Sequence, residues 1–344
     1  MRDIRFCVIG TGRAGLIHAR NLARHLPGAR LSAVCDASEH SVTAAGDELG
    51  VSRQYRDYRQ AIDDAEVQAV VITTPTFLHR EVACAAARAG KHIFLEKPMA
   101  VTVEECHAIN AAVKEAGVKL QMGFMRRFDA GFRQAKELID SGALGRVMII
   151  KSTGRGPGGP GPWMYDLRKS NGIVAEVNSH DIDSLFWFTG QELRRVYATG
   201  RNFKCDEARA QWPDFYDNVV AHLTYDGDAM GVIDGTCPAH YGYDARVEIL
   251  CEKGVLFVGD YRDPTAATRV TLNGEVIGQA VKTWRTLFKD AYVAELQHFV
   301  DCIARDQAPE VTGHDGLRAV ATVLAINQSI RSGAVVEAAG KGFS

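Results

Sequence analysis

Three groups of residues in this 344-residue chain have the types and spacing for chemistry. The first is Gly10-Thr11-Gly12-Arg13-Ala14-Gly15, directly after an apolar run at 5–9 and directly before a helical pattern. Glycines there permit a tight turn, close approach of backbone to a pyrophosphate, and tight helix–strand packing. The helix N-terminus adds N–H donors and the positive end of its dipole. Taken alone the pattern is a common strand–helix turn. Asp36 adds context, because it closes the second apolar run about 20 residues later, where an acid hydrogen-bonds an adenosine ribose diol. A carboxylate there repels a 2′-phosphate, and Ala37-Ser38-Glu39 brings no arginine to pair with one, so NAD is expected over NADP. Arg13 is the one group in the loop that argues for the phosphate.

The second group is Lys97, within Glu96-Lys97-Pro98 after the run 92–95. By composition alone it reads as a solvated loop lysine. Its place after a strand says more, since proline fixes φ and withholds a donor, making a stiff turn at the carboxyl end of a sheet, where doubly wound folds bind ligands. The third group is Glu176 and His180. Four apart, they share one face of a helix predicted over 172–188, together with Asp183, while Asp181 points elsewhere. The same spacing suits a core histidine satisfied by a carbonyl, or a metal held by Glu176, His180 and Asp183. No further His/Cys cluster accompanies the helix, so no metal is expected.

The elements that must position these groups come in two grammars. Up to about residue 124, apolar runs at 5–9, 30–36, 69–73, 92–95 and 119–122 alternate with helical patterns at 15–26, 40–49, 79–89 and 103–116. That alternation predicts a doubly wound parallel sheet with helices on both faces, a Rossmann-type domain over 1–124. Strand-like runs then follow one another at 147–153, 196–201, 218–225, 229–237, 245–251, 255–258 and 269–272. Helices are predicted at 172–188, 289–305 and 315–331. An α+β domain with a large, mostly antiparallel sheet is expected over 125–344. The Gly/Pro-rich run 154–162 is expected to be a loop.

Composition narrows the partners. With 46% hydrophobic and 24% charged residues the chain is an ordinary globular protein, and 344 residues favour two domains over one core. A net charge of -2 with scattered basic residues leaves no footprint for nucleic acid. No segment approaches the length of a membrane span, and the N-terminal apolar run is too short and too acidic for a signal peptide. Eight cysteines lie singly in apolar stretches with no C-x-x-C, the pattern of small core residues in a reducing cytoplasm.

At Thr73-Thr74-Pro75-Thr76-Phe77-Leu78-His79 and at Glu96-Lys97-Pro98 the chain resembles the Gfo/Idh/MocA oxidoreductase family. Gly172-Ile173-Val174-Ala175-Glu176-Val177-Asn178-Ser179-His180-Asp181-Ile182-Asp183 and Ala291-Tyr292-Val293-Ala294-Glu295-Leu296-Gln297-His298-Phe299 agree with it, so the resemblance spans nearly the whole chain. Gln121-Met122-Gly123-Phe124-Met125-Arg126-Arg127-Phe128-Asp129 and Tyr241-Gly242-Tyr243-Asp244 look most like its inositol dehydrogenase branch. That branch usually has an aspartate four residues before the active-site histidine. Here Glu176 keeps the charge and extends its reach by one methylene.

The resemblance implies NAD-dependent oxidation of a secondary alcohol on a cyclitol or sugar, with Lys97, Glu176 and His180 at the reacting carbon. It adds Thr73, Thr74, Pro75, His79, Glu96 and Lys97 to the glycine loop and Asp36 as cofactor contacts. Such chemistry needs a base poised near neutral pH. A buried lysine beside a positive nicotinamide loses its ammonium more readily, while a carboxylate partner such as Glu176 favours keeping it. Lys97 or His180 is the direct proton acceptor, and Glu176 orients substrate or lysine. Arg126, Trp163, Tyr241 and Tyr243 are candidates to line the polyol pocket; equally, Tyr241 and Tyr243 share a strand face that packs against a helix. Self-association as a dimer or tetramer through the outer face of the second sheet is also implied. Two other functions fit the same fold: an NAD-assisted glycosidase that returns its electrons each turnover, and a non-catalytic NAD-binding regulator.

Overall fold

The computed structural model describes residues 3–24 and 26–338. The chain begins β1 (Ile4–Ile9), α1 (Arg13–Arg24), β2 (Ala29–Cys35), α2 (Glu39–Leu49), β3 (Gln54–Tyr55), α3 (Tyr58–Asp63), β4 (Ala69–Ile72), α4 (His79–Arg88), β5 (His92–Glu96), α5 (Val103–Ala116) and β6 (Leu120–Gly123). It continues α6 (Ala130–Asp140), β7 (Val147–Arg155), α7 (Leu167–Ser170), α8 (Gly172–Glu176), α9 (Ser179–Thr189), β8 (Leu193–Arg201), α10 (Asp206–Arg209), β9 (Asn218–Tyr225), β10 (Met230–Thr236), β11 (Asp244–Cys251) and β12 (Gly254–Val258). It ends β13 (Arg269–Val270), β14 (Val276–Ile277), α11 (Trp284–Leu287), α12 (Lys289–Ala304), α13 (Gly313–Ser332) and β15 (Val336–Glu337).

The first six strands form one parallel sheet in the order β3-β2-β1-β4-β5-β6. Near-continuous apolar strands such as Phe6-Cys7-Val8-Ile9 and Ala69-Val70-Val71-Ile72 are what a sheet covered on both faces requires, and all eight residues are buried. Growth of the sheet reverses between β1 and β4, which opens a crevice at the carboxyl ends of these two strands. The edge strand β3 and the short α3 were not expected, because two and six residues are too few to leave a periodic signal.

By contact the chain forms two compact units, Met1–Phe128 with Asp290–Val320, and Asp129–Lys289 with Ala321–Ser344. The segment that returns to the first unit does so for an apolar reason. Leu296, Phe299 and Val300 of α12 join Phe6, Val8, Leu22, Val34, Val71 and Phe94 in one buried cluster, with Phe299 edge-on to both Phe6 and Phe94. The same unit holds a buried ionic knot. Asp315 accepts from the Thr312 amide (2.8 Å), Arg127 (2.8 Å) and Arg318 (2.7 Å). Burial alone would raise this carboxyl, but Arg127, the Thr312 amide and Arg318 outweigh it and bring its pKa down to about 2.

The second unit is built on a seven-stranded sheet, β12-β11-β7-β10-β9-β8-β15. Its neighbours are antiparallel except β7 and β10, which run parallel. Four helices, α7 to α10, and the strands β8 and β9 separate that pair in sequence, ample length for the crossover a parallel pair needs. The Gly/Pro-rich run is shorter as a loop than expected, since β7 continues through Gly154 and Arg155, paired on both sides.

Two outcomes follow. Phe299→Ala destabilises the protein by about 3–5 kcal/mol in chemical denaturation, because it empties the contact between both phenylalanines of the sheet. Asp315→Asn costs about 2–3 kcal/mol at pH 7. The Asp315 pKa is depressed on folding, so its contribution is complete above the unfolded value near 4 and is lost as pH falls toward 2. Stability curves of the parent and Asp315→Asn therefore converge in that window.

Candidate active site

The glycine loop, the Thr73–Pro75 turn and Lys97 follow β1, β4 and β5, three adjacent parallel strands that all end at one edge of the sheet. Strand spacing puts the outer two of these ends about 10 Å apart. At the loop, Gly10 has φ +97°, and a Cβ there would lie 2.7 Å from the Thr73 carbonyl oxygen. A Cβ on Gly15 would fall on the Gly10 carbonyl. The Thr73 hydroxyl donates to that same carbonyl at 2.5 Å. Gly12 differs: a side chain there would meet no other atom of the protein, so this is open surface of the kind a pyrophosphate approaches. Arg13 is exposed and opens α1, followed by half-buried Ala14.

Asp36 stands one residue beyond β2. Its Oδ2 accepts from the Thr11 amide (2.7 Å) and hydroxyl (3.0 Å), and its Oδ1 from the Ser38 amide (2.9 Å). The carboxylate is thus fixed beside the glycine loop. Arg56, next to the Tyr55 carbonyl that takes the Asp36 amide, is paired to Glu39 at 3.2 Å. This geometry suits a ribose diol better than a 2′-phosphate.

His79 and Glu96, both expected to contact cofactor, are buried beneath this edge. The two ring nitrogens of His79 lie 2.7 Å from the Pro98 carbonyl oxygen and 2.8 Å from that of Thr74, so the ring sits between the Thr73–Pro75 turn and the Lys97 turn and, when neutral, donates to one of the two carbonyls. Burial holds its pKa below the usual histidine value, against the pull of both carbonyls. Glu96 accepts from the Lys97 amide at 3.1 Å and meets His18 at 2.7 Å. Both residues thus lie against the turn that carries Lys97, which is itself half-buried.

In the second unit the expected single helix is two. α8 ends at Glu176 and α9 starts at Ser179, with both the Val177 and Asn178 amides donating to the Ile173 carbonyl. Glu176 and His180 therefore do not share one helical face by i,i+4 geometry; they flank a break. Asn178 explains it, since its side chain leaves the helix to donate to Asp181 (2.8 Å) and to the Gly154 carbonyl (3.2 Å). Ser152 of β7 donates to Asp181 at 2.6 Å. A Cβ on Gly154 would overlap the Asp181 carboxylate, and one on Gly235 the Asn178 side-chain oxygen. α9 is thereby pressed onto the sheet with His180 beside the latch. Glu176 is half-buried and His180 nearly fully buried.

The expected pocket residues scatter. Arg126 sits in the first unit, in a short turn at Met125–Phe128, and is only 1% exposed. Trp163 lies in the turn Pro162–Tyr165, where its ring is 3.2 Å from the Cβ position of Gly161. Tyr241 and Tyr243 precede β11 rather than sharing a strand face. Tyr241 donates to Asp244 (2.7 Å) and meets Arg155 (3.3 Å), in an ionic cluster with Asp234 and Arg246 on the sheet face opposite α9. Tyr243 packs edge-on to Phe288 in the core. These bonds supply the place of Tyr241 without a ligand. Sequence reasoning passed over His18, Ser152, Asn178 and Glu295; each is a polar residue at a core position, which spacing alone does not separate from an apolar neighbour.

A glycine-bent loop at a topological switch point, an acid on the next strand and a lysine two strands away define a dinucleotide-binding oxidoreductase. The comparisons agree. Residues 4–124 match the model of the oxidoreductase family with NAD-binding Rossmann fold, and 132–257 match the GFO/IDH/MocA C-terminal domain. The chain belongs to the Gfo/Idh/MocA family. It is 33% identical to scyllo-inositol 2-dehydrogenase (NAD(+)) of Bacillus subtilis, over 97% of this chain and 96% of the relative. It is 33% identical to myo-inositol 2-dehydrogenase of Thermotoga maritima, over 95% and 96%. The structure of scyllo-inositol dehydrogenase from Lactobacillus casei with NAD(H) and scyllo-inositol superposes with a TM-score of 0.89 at 29% identity, covering 98% of this chain and 100% of that one.

The latch yields a test. Gly154→Ala pushes the start of α9 off the sheet, so kcat/KM falls at least about tenfold while NAD affinity, set in the other unit, stays within about twofold. Fluorescence titration with NAD beside steady-state rates separates the two.

Proposed function

We propose that this protein oxidises a secondary alcohol on the ring of a cyclitol or sugar, using NAD, to the ketone, or to the lactone when the alcohol is anomeric. The observation that carries the reading is the common edge shared by the glycine loop, the Thr73–Pro75 turn and Lys97. The named activities of the inositol dehydrogenase relatives support it. Gly10, Gly12, Arg13, Ala14 and Gly15 would hold the pyrophosphate and Asp36 the ribose. NAD, when bound, supplies the acceptor for the electron pair leaving the alcohol carbon.

The chain's own residues handle the proton and the orientation. Lys97, fixed through His79 and Glu96, or His180, fixed beside the Asp181 latch, takes the hydroxyl proton. Glu176 orients the ring or the lysine. Because Glu176 reaches one methylene further than the aspartate usual in the inositol dehydrogenase branch, the pocket it borders is narrower for a given backbone. The substrate is scyllo- or myo-inositol, another isomer, or an aldopyranose such as glucose.

Two finer points belong to the same proposal. The sheet face opposite α9 exposes Tyr197, Val220, Met230, Leu250 and Phe257, the last to 73%, and a dimer or tetramer of this chain would cover it. All eight cysteines are free and buried, and no described helix is long and apolar enough to cross a membrane, which suits a cytoplasmic enzyme.

The test incubates the protein with NAD, then NADP, against inositols, aldopyranoses and aryl glycosides, following absorbance of the reduced cofactor. A free cyclitol or sugar is expected to give NADH, with kcat about 10²–10⁴ lower in Lys97→Ala. Glycoside cleavage without net NADH points instead to the glycosidase. NAD binding with no turnover points to the regulator.

A further inference from the structure

Beneath the Lys97 turn lies a cluster to which no role has been given. His18 of α1, Glu96 of β5 and Glu295 of α12 are all buried, and one ligand atom from each lies within 4.8 Å of the others. All three belong to the first unit. His18 and Glu96 are partnered: the His18 Nε2 meets Glu96 Oε1 at 2.7 Å, and Glu96 Oε2 accepts the Lys97 amide at 3.1 Å. Glu295 differs: it is fully buried, and neither of its carboxyl oxygens accepts a hydrogen bond from any donor.

The surroundings explain little of Glu295 unless it carries a proton. Facing it are His18 from α1 and Glu96 from β5, while Gln121 from β6 donates to its backbone carbonyl at 2.7 Å. Among the described residues no lysine or arginine pairs with it. Two carboxylates this close in a dry site do not both ionise. Burial, and then the charge of Glu96, push Glu295 well above the ordinary carboxylate range. A neutral carboxyl has one O–H to give, and Glu96 is the strong acceptor at hand.

We propose that Glu295 is a positioning residue for Lys97: its carboxyl O–H donates to Glu96, so that Glu96, held by His18 on one oxygen, keeps the other on the Lys97 amide. The importance of that placement to catalysis rests on the proposed dehydrogenase reading, but the placement itself does not. The chemistry makes a distinction between side chains. Glutamine at 295 preserves both size and a donor; methionine preserves size and removes the donor.

The test compares the full-length protein with Glu295→Gln and Glu295→Met at neutral pH, using three readouts. Infrared spectroscopy is expected to show a protonated-carboxyl C=O band in the parent that is missing from Glu295→Gln. Hydrogen exchange of the segment 92–99, which contains the Lys97 amide, is expected to match the parent in Glu295→Gln and to run about tenfold faster in Glu295→Met. Metal analysis of the purified protein is expected to find no stoichiometric ion. The proposal is overturned if the band is absent, if a stoichiometric metal occupies the cluster in place of the proton, or if Glu295→Met protects the segment as well as the parent. Loss of protection in Glu295→Gln overturns it too, since a neutral donor would then not suffice. Where the exchange order holds and no polyol is oxidised by the parent, the dehydrogenase reading fails and the positioning of Lys97 stands. Where a polyol is oxidised, kcat follows the exchange order and NAD affinity does not change.

Discussion

The first unit depends on how closely two backbones can pass at the carboxyl ends of β1 and β4. The Gly10 carbonyl, the Gly15 backbone and Thr73 crowd one small volume, which leaves no room for a Cβ at position 10 or 15. Closing it aims the start of α1 into the crevice and leaves Gly12 facing open space. Asp36 then fixes the outer side of the loop through Thr11, and the buried His79 ring fills the space between the Thr74 and Pro98 carbonyls, next to the lysine turn. The acid proposed for the ribose, the loop proposed to cradle the phosphates and the candidate base are thus referred to one frame, as catalytic positioning requires.

The second unit reaches a similar end with different groups. There the close approach is helix to sheet, through Gly154 and Gly235, and the polar residues Ser152, Asn178 and Asp181 fill the gap, with the Ser152 hydroxyl and the Asn178 side-chain N–H both donating to Asp181. Buried polar groups of this kind are costly unless paired, so they define one arrangement sharply. Breaking the helix at Val177–Asn178 belongs to the same arrangement: the Asn178 side-chain amide, turned to Asp181 and the Gly154 carbonyl, locks the second half in place.

Much of this was legible beforehand, for reasons that can be named. Strands buried on both faces write themselves as unbroken apolar runs, which is why the first sheet was readable and α5 falls on Val103–Ala116 as its capping box at Thr102 and Glu105 dictates. The glycine loop and Lys97 were readable because backbone constraints single out glycine and proline. The break before α9 was not, because the Asn178 side chain leaves the helix partly for a partner on β7, the Gly154 carbonyl, which local spacing does not reveal. The partners of Tyr241 were equally illegible, since its hydroxyl meets Arg155, far away in sequence, as well as Asp244. Glu295 sits in a stretch noticed for its family likeness, yet its setting arises from residues some 200 and 280 positions earlier, Glu96 and His18.

The return of α12 to the first unit has a consequence for how the protein is made. Phe6 and Phe94 leave the ribosome long before Phe299 exists, and at about 5–20 residues per second the interval is on the order of 10–30 s. For that time the apolar face of the nascent nucleotide-binding sheet has only part of its cover, from α1 and α2. The newborn chain therefore passes through a stage in which its first half is complete in sequence but unfinished in structure, a natural client for a holding chaperone.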